Sequence, residues 1–342
     1  MTKVNLQLEP GVDGRLLYFA GHLLKGFVEL TLDHPKQFRG LYIAIIGSAR
    51  AHWTKSERGS NRNSRYERIN FEGFEGYINS KTYLIGQLGE PTFEMPPGTH
   101  RYEFTCQLPP HIPYTVGLKH AEIQYYVEAV LDIPWHFNKE SKVPFFIIPY
   151  LDLNFYQHLK APRSIEAFKN IQTVFCKSGR LQMTVHLPYS GFAIGQKVPI
   201  KIDYENKSNV DVSSTKMILR RIVSYHAQTP HPSVKVDAED LIVTNTVGVK
   251  AGDSTSCESI FEIPIVILCT NEKSCRVLSI TYAMKIEAVL SGWHSNINVV
   301  FPVVIGTVPI QFISQESTSY HLSQVPYVQP TAPAIPPSFE GY

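Results

Sequence analysis

Apolar residues at alternate positions constrain this chain more than any other feature. Across 123–131, Ile123, Tyr125, Val127, Ala129 and Leu131 share one side. Ile280, Tyr282, Met284, Ile286, Ala288 and Leu290 repeat the pattern, and Val198, Ile200, Ile202 and Tyr204 alternate with Pro199, Lys201 and Asp203. Successive strand residues point to opposite faces, so this spacing sets one face on a core and the other in water. Turn-forming clusters separate the runs: Asp33-His34-Pro35, Gly59-Ser60-Asn61, Pro96-Pro97-Gly98, Asn206-Lys207-Ser208-Asn209 and Ala251-Gly252-Asp253. Helical patterning is sparse, and a short helix is expected over 164–171 only.

The two halves of the chain repeat each other. Glu128-Ala129-Val130-Leu131 returns as Glu287-Ala288-Val289-Leu290 at an offset of 159 residues, and Trp135 and Pro144 return as Trp293 and Pro302 at an offset of 158. Gly98 with Leu108-Pro109 is echoed by Gly252 with Ile263-Pro264, and Ala20-Gly21 by Ile194-Gly195. Identity, order and spacing agree, which favours duplication of one β-sandwich of roughly 150 residues over coincidence. The expected divisions are a first sandwich over 1–152, a linker over 153–172, a second sandwich over 173–312 and a tail over 313–342. The tail has no Lys or Arg and holds five prolines among Ser, Thr and Gln. Such a composition cannot bury enough apolar surface to offset its ordering entropy, so it is expected to be disordered and partly polyproline II.

Composition removes several classes. With 32 Lys+Arg against 30 Asp+Glu the net charge is +2, which is no whole-chain nucleic-acid footprint. The longest apolar stretches, 143–151 and 299–305, contain Pro and fall short of the ~20 residues a membrane span needs. The N-terminus has no apolar leader and Thr2 excludes a myristoylation signal. Five cysteines without a C-x-x-C pair argue against a disulfide framework or a zinc ribbon. A reduced, cytoplasmic setting is expected, in which the sequon Asn206-Lys207-Ser208 has no role.

Chemistry-bearing motifs are few. No nucleotide-binding glycine fingerprint, nucleophile elbow or H-E-x-x-H occurs. His226 and His231 form the closest histidine pair, but without a third ligand a solvated loop is the better reading than a metal site. Cys269 and Cys275 read as reduced thiols. Trp135 and Trp293 could stack on a sugar, but their repeat-equivalent places favour core or corner packing. No cofactor is implied.

Two segments could bind. Between Arg50 and Arg68 lie Arg50, Lys55, Arg58, Arg62, Arg65 and Arg68 against Glu57 and Glu67, in a stretch that reads as a long hairpin loop. Guanidinium groups match phosphate oxygens two at a time, so Lys55, Arg58, Arg62, Arg65 and Arg68 are candidates for anionic lipid or a phosphorylated peptide, against the plain reading of a solvated loop. In the tail, Pro336-Pro337-Ser338-Phe339 approximates the Pro-Pro-x-Tyr ligand of WW domains, with Phe339 as the aromatic. Polyproline II is preordered, so docking it in an aromatic groove costs little entropy. Loss of a tyrosine hydroxyl costs ~0.5–1.5 kcal/mol, a few-fold to tenfold in affinity.

The ordered set of segments resembles a known family. Arg39 to Ala49 running on to Trp53, with Tyr18, Gly21, Gly26 and Val28 before it, is similar to the arrestin N-domain, as are Gly98 to Phe104, Leu108-Pro109 to Pro113, and Asp132-Ile133-Pro134-Trp135. Gly191 to Gln196, Asn206-Lys207-Ser208, Ile263-Pro264 and Val304 to Pro309 resemble the arrestin C-domain. The resemblance spans about residues 4–312, and the Pro-rich tail points to the alpha-arrestins, also called arrestin domain-containing proteins. It implies an all-β chain of two tandem immunoglobulin-like sandwiches without catalysis. It further implies an adaptor that links membrane receptors or transporters to WW-domain HECT ubiquitin ligases, cytoplasmic and recruited to plasma membrane or endosomes. This chain departs from the family at Tyr114-Thr115-Val116-Gly117, at Ile194-Gly195-Gln196, and in having one degenerate tail motif where many members carry two intact ones. Alternative readings are a retromer-associated scaffold sharing the double sandwich, and a β-sandwich hydrolase.

Overall fold

Every alternating run forms a strand. The computed structural model describes residues 2–312 apart from 59–65, 88–90, 136, 174–175, 266 and 272–273. The first half holds β1 (Lys3–Leu8), β2 (Leu17–Tyr18), β3 (Leu23–Leu32), β4 (Lys36–Phe38), β5 (Gly40–Arg58), β6 (Tyr66–Gly86), β7 (Phe93–Met95), β8 (Gly98–Gln107), β9 (Val116–Gly117), β10 (Ala121–Asp132) and β11 (Lys139–Ile147). The second holds β12 (Arg163–Thr173), β13 (Cys176–Leu187), β14 (Gly191–Ala193), β15 (Lys197–Asn206), β16 (Val212–Ala227), β17 (Ser233–Thr246), β18 (Ser254–Glu262), β19 (Leu278–Leu290) and β20 (Ile297–Gly306).

The duplication is explicit in the topology. One sheet of the first half runs β2-β11-β10-β5-β6, with β9 attached to β10; its counterpart runs β14-β20-β19-β16-β17. In both, a short first strand lies parallel to the last one while the neighbouring pairs are antiparallel. The facing sheets are β1-β3-β8 and β12-β13-β15-β18, and β4 pairs with β7. Gly21 and Gly195, which echo each other in sequence, both take positive φ (79° and 73°) just before β3 and β15. A side chain there would be strained, so both positions favour glycine.

Burial follows the alternation. Ile123, Val127, Ala129 and Leu131 are fully buried on β10, as are Ile280, Met284, Ile286 and Ala288 on β19. Val28, Leu30 and Phe104 of one sheet pack with Ile45, Val127 and Phe145 of the other in the first half. Met183, Ile200, Ile202 and Phe261 pack with Leu219, Met284 and Phe301 in the second. Each such side chain contributes roughly 1.5–3 kcal/mol by leaving water. The sequon is not available for modification in the folded chain. Asn206 is 1% exposed, and its side-chain amide donates to the carbonyls of Val210 (2.9 Å) and Lys250 (3.0 Å).

Two expectations are corrected. Residues 164–171, where the sequence predicts a short helix, lie in strand β12, which pairs with β13 from Arg163–Leu187 to Ile171–Gly179. Ile165, Ala167 and Ile171 pack on the core, while Lys169, which interrupts the apolar pattern, donates to the Ser295 hydroxyl (2.6 Å). The expected linker over 153–172 therefore includes a strand of the second half. What precedes β12 is fastened rather than loose. The Thr307 N–H donates to the Leu151 carbonyl (2.9 Å), the Leu153 N–H to the Val308 carbonyl (3.2 Å), and Leu153, Leu159 and Ile310 form a small apolar cluster.

Trp135 and Trp293 are the second correction. They are 100% and 106% exposed, so neither packs into a core or corner. Each sits in the hairpin turn that follows its buried strand, β10 or β19, where the chain has left the sandwich. Trp135 takes a positive φ of 60° in that turn.

Candidate functional site

The longest hairpin joins the two sandwiches. β5 and β6 pair continuously from Gly40–Gly86 to Arg58–Tyr66, with register shifts at Leu41/Tyr42 and Gly47/Ser48. Midway along β6, Glu72 forms an antiparallel bridge to Thr229 of the second half. The Glu72 N–H donates to the Thr229 carbonyl (3.0 Å), and its carbonyl accepts from the N–H groups of Gln228 (2.8 Å) and Thr229 (3.1 Å). The Phe74 N–H donates to the Gln228 side-chain carbonyl (2.7 Å). Gly73 permits this approach, because a Cβ there would lie 2.2 Å from the His226 carbonyl oxygen.

Side chains lock the same seam. Glu75 accepts from the Arg276 backbone N–H (2.6 Å), the Arg276 Nε (2.7 Å) and the Tyr77 hydroxyl (3.0 Å). Burial opposes ionisation of Glu75, but the hydrogen bonds and charge of Arg276 outweigh it and hold the carboxyl below its ordinary range. The Tyr114 hydroxyl donates to the Cys269 carbonyl (2.7 Å). His120 meets Tyr225 edge-on at 5.3 Å, and burial, then the Lys235 charge, hold its imidazole below the usual range. Trp53 stacks on Phe71 at 5.5 Å, and Phe71 in turn meets the His231 ring at 5.2 Å.

The same strand pair carries part of the predicted basic group. The stretch read from sequence as a loop is largely strand: Arg50, Lys55 and Arg58 lie on β5, and Arg68 on β6. The register places Arg50 opposite Phe74, Lys55 opposite Ile69 and Arg68 opposite Ser56. Arg50 and Arg68 thus share one face, and Lys55 belongs to the other. Arg50, Lys55 and Arg68 are exposed. Arg62 and Arg65 lie outside the described residues, as do Pro336, Pro337 and Phe339 with the whole of 313–342.

The remaining candidates resolve simply. The His226 N–H donates to the Val277 carbonyl (2.9 Å), and no group of three metal-ligating side chains occurs among the described residues. Cys269 and Cys275 are buried free thiols; burial pushes the Cys269 thiol up to about 11 and raises that of Cys275. Neither is a thiolate near neutral pH, so neither is poised for nucleophilic or redox work. No helix among the described residues is long and apolar enough to cross a membrane. The seam residues Glu72, Gly73, Glu75, Gln228 and Arg276 are absent from any sequence expectation. Their one local signal is the doublet Phe71-Glu72-Gly73-Phe74-Glu75-Gly76, which breaks the polar alternation with glycine.

A two-sandwich chain with a strand-built seam defines a class, and the comparisons agree with it. Residues 12–154 match the family described as Arrestin (or S-antigen), N-terminal domain, and residues 177–310 match Arrestin (or S-antigen), C-terminal domain. The chain is 26% identical over 299 residues to arrestin domain-containing protein 17 of Caenorhabditis elegans, covering 85% of this chain and 68% of that one. It is 25% identical over 330 residues to arrestin domain-containing protein 1 of Rattus norvegicus (96% and 70% covered), and 26% identical over 332 residues to arrestin domain-containing protein 4 of Homo sapiens (94% and 77% covered). The chain belongs to the arrestin family, in its alpha-arrestin branch.

Proposed function

We propose that the chain is a non-enzymatic adaptor that binds cytoplasmic segments of membrane receptors or transporters and links them to ubiquitin-ligase or endocytic sorting machinery. The observation that carries this reading is the β5–β6 hairpin. It couples both sandwiches through Glu72, Gly73 and Glu75, and it carries exposed cations at the seam, Arg50, and past it, Lys55 and Arg68. A basic strand pair on a fixed frame suits an acidic or phosphorylated segment, or the anionic leaflet beside it, because position is set before binding and little ordering entropy remains to be lost. Arg58, Arg62 and Arg65 add charge to the same connection in sequence.

The ligase contact falls to Pro336, Pro337 and Phe339. A ring without the hydroxyl fills an aromatic groove but forgoes one hydrogen bond, and a single motif gains nothing from effective concentration. The chain works in the cytoplasm and reaches plasma membrane or endosomes through its cargo. Proximity labelling in cells tests this with the full chain, a 1–312 truncation and Phe339→Tyr. The expected result is membrane cargo with all three, WW-domain ligases with the full chain, loss of ligases on truncation and a gain with Phe339→Tyr. Absence of membrane cargo in every case would reject the adaptor reading. Cargo without ligase would reject the tail's part in it.

A further inference from the structure

β17 is the last strand of its sheet, with β16 on one side and no strand on the other. The equivalent edge in the first half, that of β6, takes the bridge from Thr229 at Glu72. Along β17, among the described residues, no backbone hydrogen bond is made outside the ladder with β16. A register shift ends the regular run: Arg220 pairs with Asp240 but Leu219 with Ile242, so Leu241 is an extra residue. A bulge interrupts pairing and twists an edge away, so the part of β17 able to take another strand is 233–240. Within it Val234 and Val236 are 57% and 56% exposed, and Ala238 is exposed as well.

The side chains of this stretch alternate, with Val234, Val236 and Ala238 on one face and Lys235 and Asp237 on the other. Neither charge is well matched within the chain. Among the described residues Lys235 has no carboxylate within 4.0 Å, and the one basic group that near to Asp237 is the His120 imidazole, at 4.0 Å. That imidazole is held below its usual range, so near pH 7 it is neutral and leaves the carboxylate uncompensated. Two such edges laid antiparallel have one register that suits them. With a two-fold axis at Val236, that valine faces its own copy, Val234 faces Ala238, and Lys235 faces Asp237 twice over. Centring on Lys235 or on Asp237 would oppose like charges, and centring between residues would set Val236 against a charge. Apolar pairs and opposite charges directly across strands stabilise a ladder, whereas like charges there weaken it.

We propose that β17 pairs edge to edge with β17 of a second copy of this chain, centred on Val236, in a symmetric dimer whose sheet runs on from one chain into the other. The same patch serves both copies, so the contact closes on itself and assembly stops at two. Each copy contributes only 233–239 to the ladder, which places the dimer among small, transient contacts. The pairing also bears on the adaptor reading. Two joined chains bring two copies of Pro336-Pro337-Ser338-Phe339, a bivalency that one chain lacks.

Sedimentation velocity of the full chain over a concentration series tests the pairing without any ligase or cargo. The expected result is a monomer–dimer equilibrium. Lys235→Asp sets acids opposite acids, and Asp237→Lys sets lysines opposite lysines, so each variant alone should dimerise at least tenfold more weakly than the parent. When the two variants are mixed, each acid again meets a lysine, and a mixed dimer at least tenfold tighter than either variant's own is expected. Recovery on mixing separates the pairing from any effect of Asp237→Lys on His120. Val236→Cys should give a disulfide-linked dimer on mild oxidation, beyond the parent's own background. Val234→Cys should not, since in this register it lies roughly 14 Å from its own copy. A parent that stays monomeric to near-millimolar concentration would overturn the proposal and leave the edge to an extended segment of another protein. Single variants as tight as the parent, a mixture no tighter than its parts, or equal cross-linking at 234 and 236 would overturn it as well.

Discussion

The two outer hairpins, β5–β6 and β16–β17, occupy equivalent places in their sheets but meet their cations differently. In β16–β17, Arg220 stands opposite Asp240 and Arg221 opposite Glu239, and both pairs close at 2.6 Å. In β5–β6, Arg50 faces Phe74, with its guanidinium 5.6 Å from the ring centre, Lys55 faces Ile69, and Arg68 faces Ser56. The second hairpin matches each of these arginines with an acid across the hairpin, whereas the first sets neutral residues opposite its three cations within the pair, and Arg50 meets an acid, Glu122, only on its other side, across β10. One copy of the duplicated element pairs its charges across the hairpin, and the other does not. Cross-strand pairs set that difference residue by residue, without any change in backbone topology.

The sharpest way to break the comparison is at the seam, where β6 of the first hairpin meets the β16–β17 turn of the second. Gly73→Ala sets a Cβ against a backbone oxygen that cannot move aside. A loss of about 3 kcal/mol is expected. The melting temperature should fall by roughly 5 °C in scanning calorimetry. Val236→Ala on the exposed second hairpin should stay within about 0.5 kcal/mol. Equal losses at both positions would mean that the first hairpin is no more engaged than the second.

Charge reversal comes next in size. Changing Lys55, Arg58, Arg62, Arg65 and Arg68 to Glu should weaken binding to phosphatidylserine vesicles by at least about tenfold, since each cation near an anionic surface contributes on the order of 1 kcal/mol. Neutralising Arg220 and Arg221 should leave vesicle binding as it was, because Asp240 and Glu239 already offset them. A vesicle sedimentation assay separates the two. Equal weakening in both variants would remove the functional meaning of the asymmetry.

How much of this the sequence discloses depends on the range of the interactions concerned. Strands such as 123–131 and 280–290 are legible because period-two burial is local. The duplication is legible because two copies of that local code lie 158–159 residues apart. Strand β12 is obscured by Lys169, whose reach to Ser295 turns an apparent break in the pattern into a tertiary contact. The exposure of Trp135 and Trp293 cannot be read locally, since a hairpin tryptophan can fold back on its sandwich or stand clear of it. The seam is least legible of all. Gly73 looks like an ordinary strand glycine until His226, far along the chain, is brought against it.

Acid sharpens the same contrast at lower amplitude. The Glu75 carboxyl has a folded-state pKa below its ordinary value, with the Arg276 interactions outweighing the cost of its burial. Its contribution is therefore complete above the unfolded pKa, roughly 4.3, and fades as pH falls through the lower folded value. Glu75→Gln should melt earlier than the parent at pH 7, and the gap between the two should close below about pH 4. A gap that persisted unchanged to pH 3 would show that shape at the seam, rather than ionisation, is what Glu75 supplies.

The smallest effect belongs to the paired arginines. Arg220 and Asp240 are both partly exposed, and burial of the pair is slight beside that of Glu75. The hydrogen bond to Arg220 holds the Asp240 carboxyl below its usual range, but solvent screens most of what that pairing adds to folding. A double-mutant cycle of Arg220→Ala and Asp240→Ala should return a coupling of roughly 0.2–1 kcal/mol. It should shrink toward zero at 1 M salt, where the Debye length is about 3 Å. A coupling that resisted salt would mean the pair is shielded from solvent more than its exposure indicates. Neutralisation of the second hairpin would then be a strong structural device, and the contrast with β5–β6 would widen from one of available charge to one of stability.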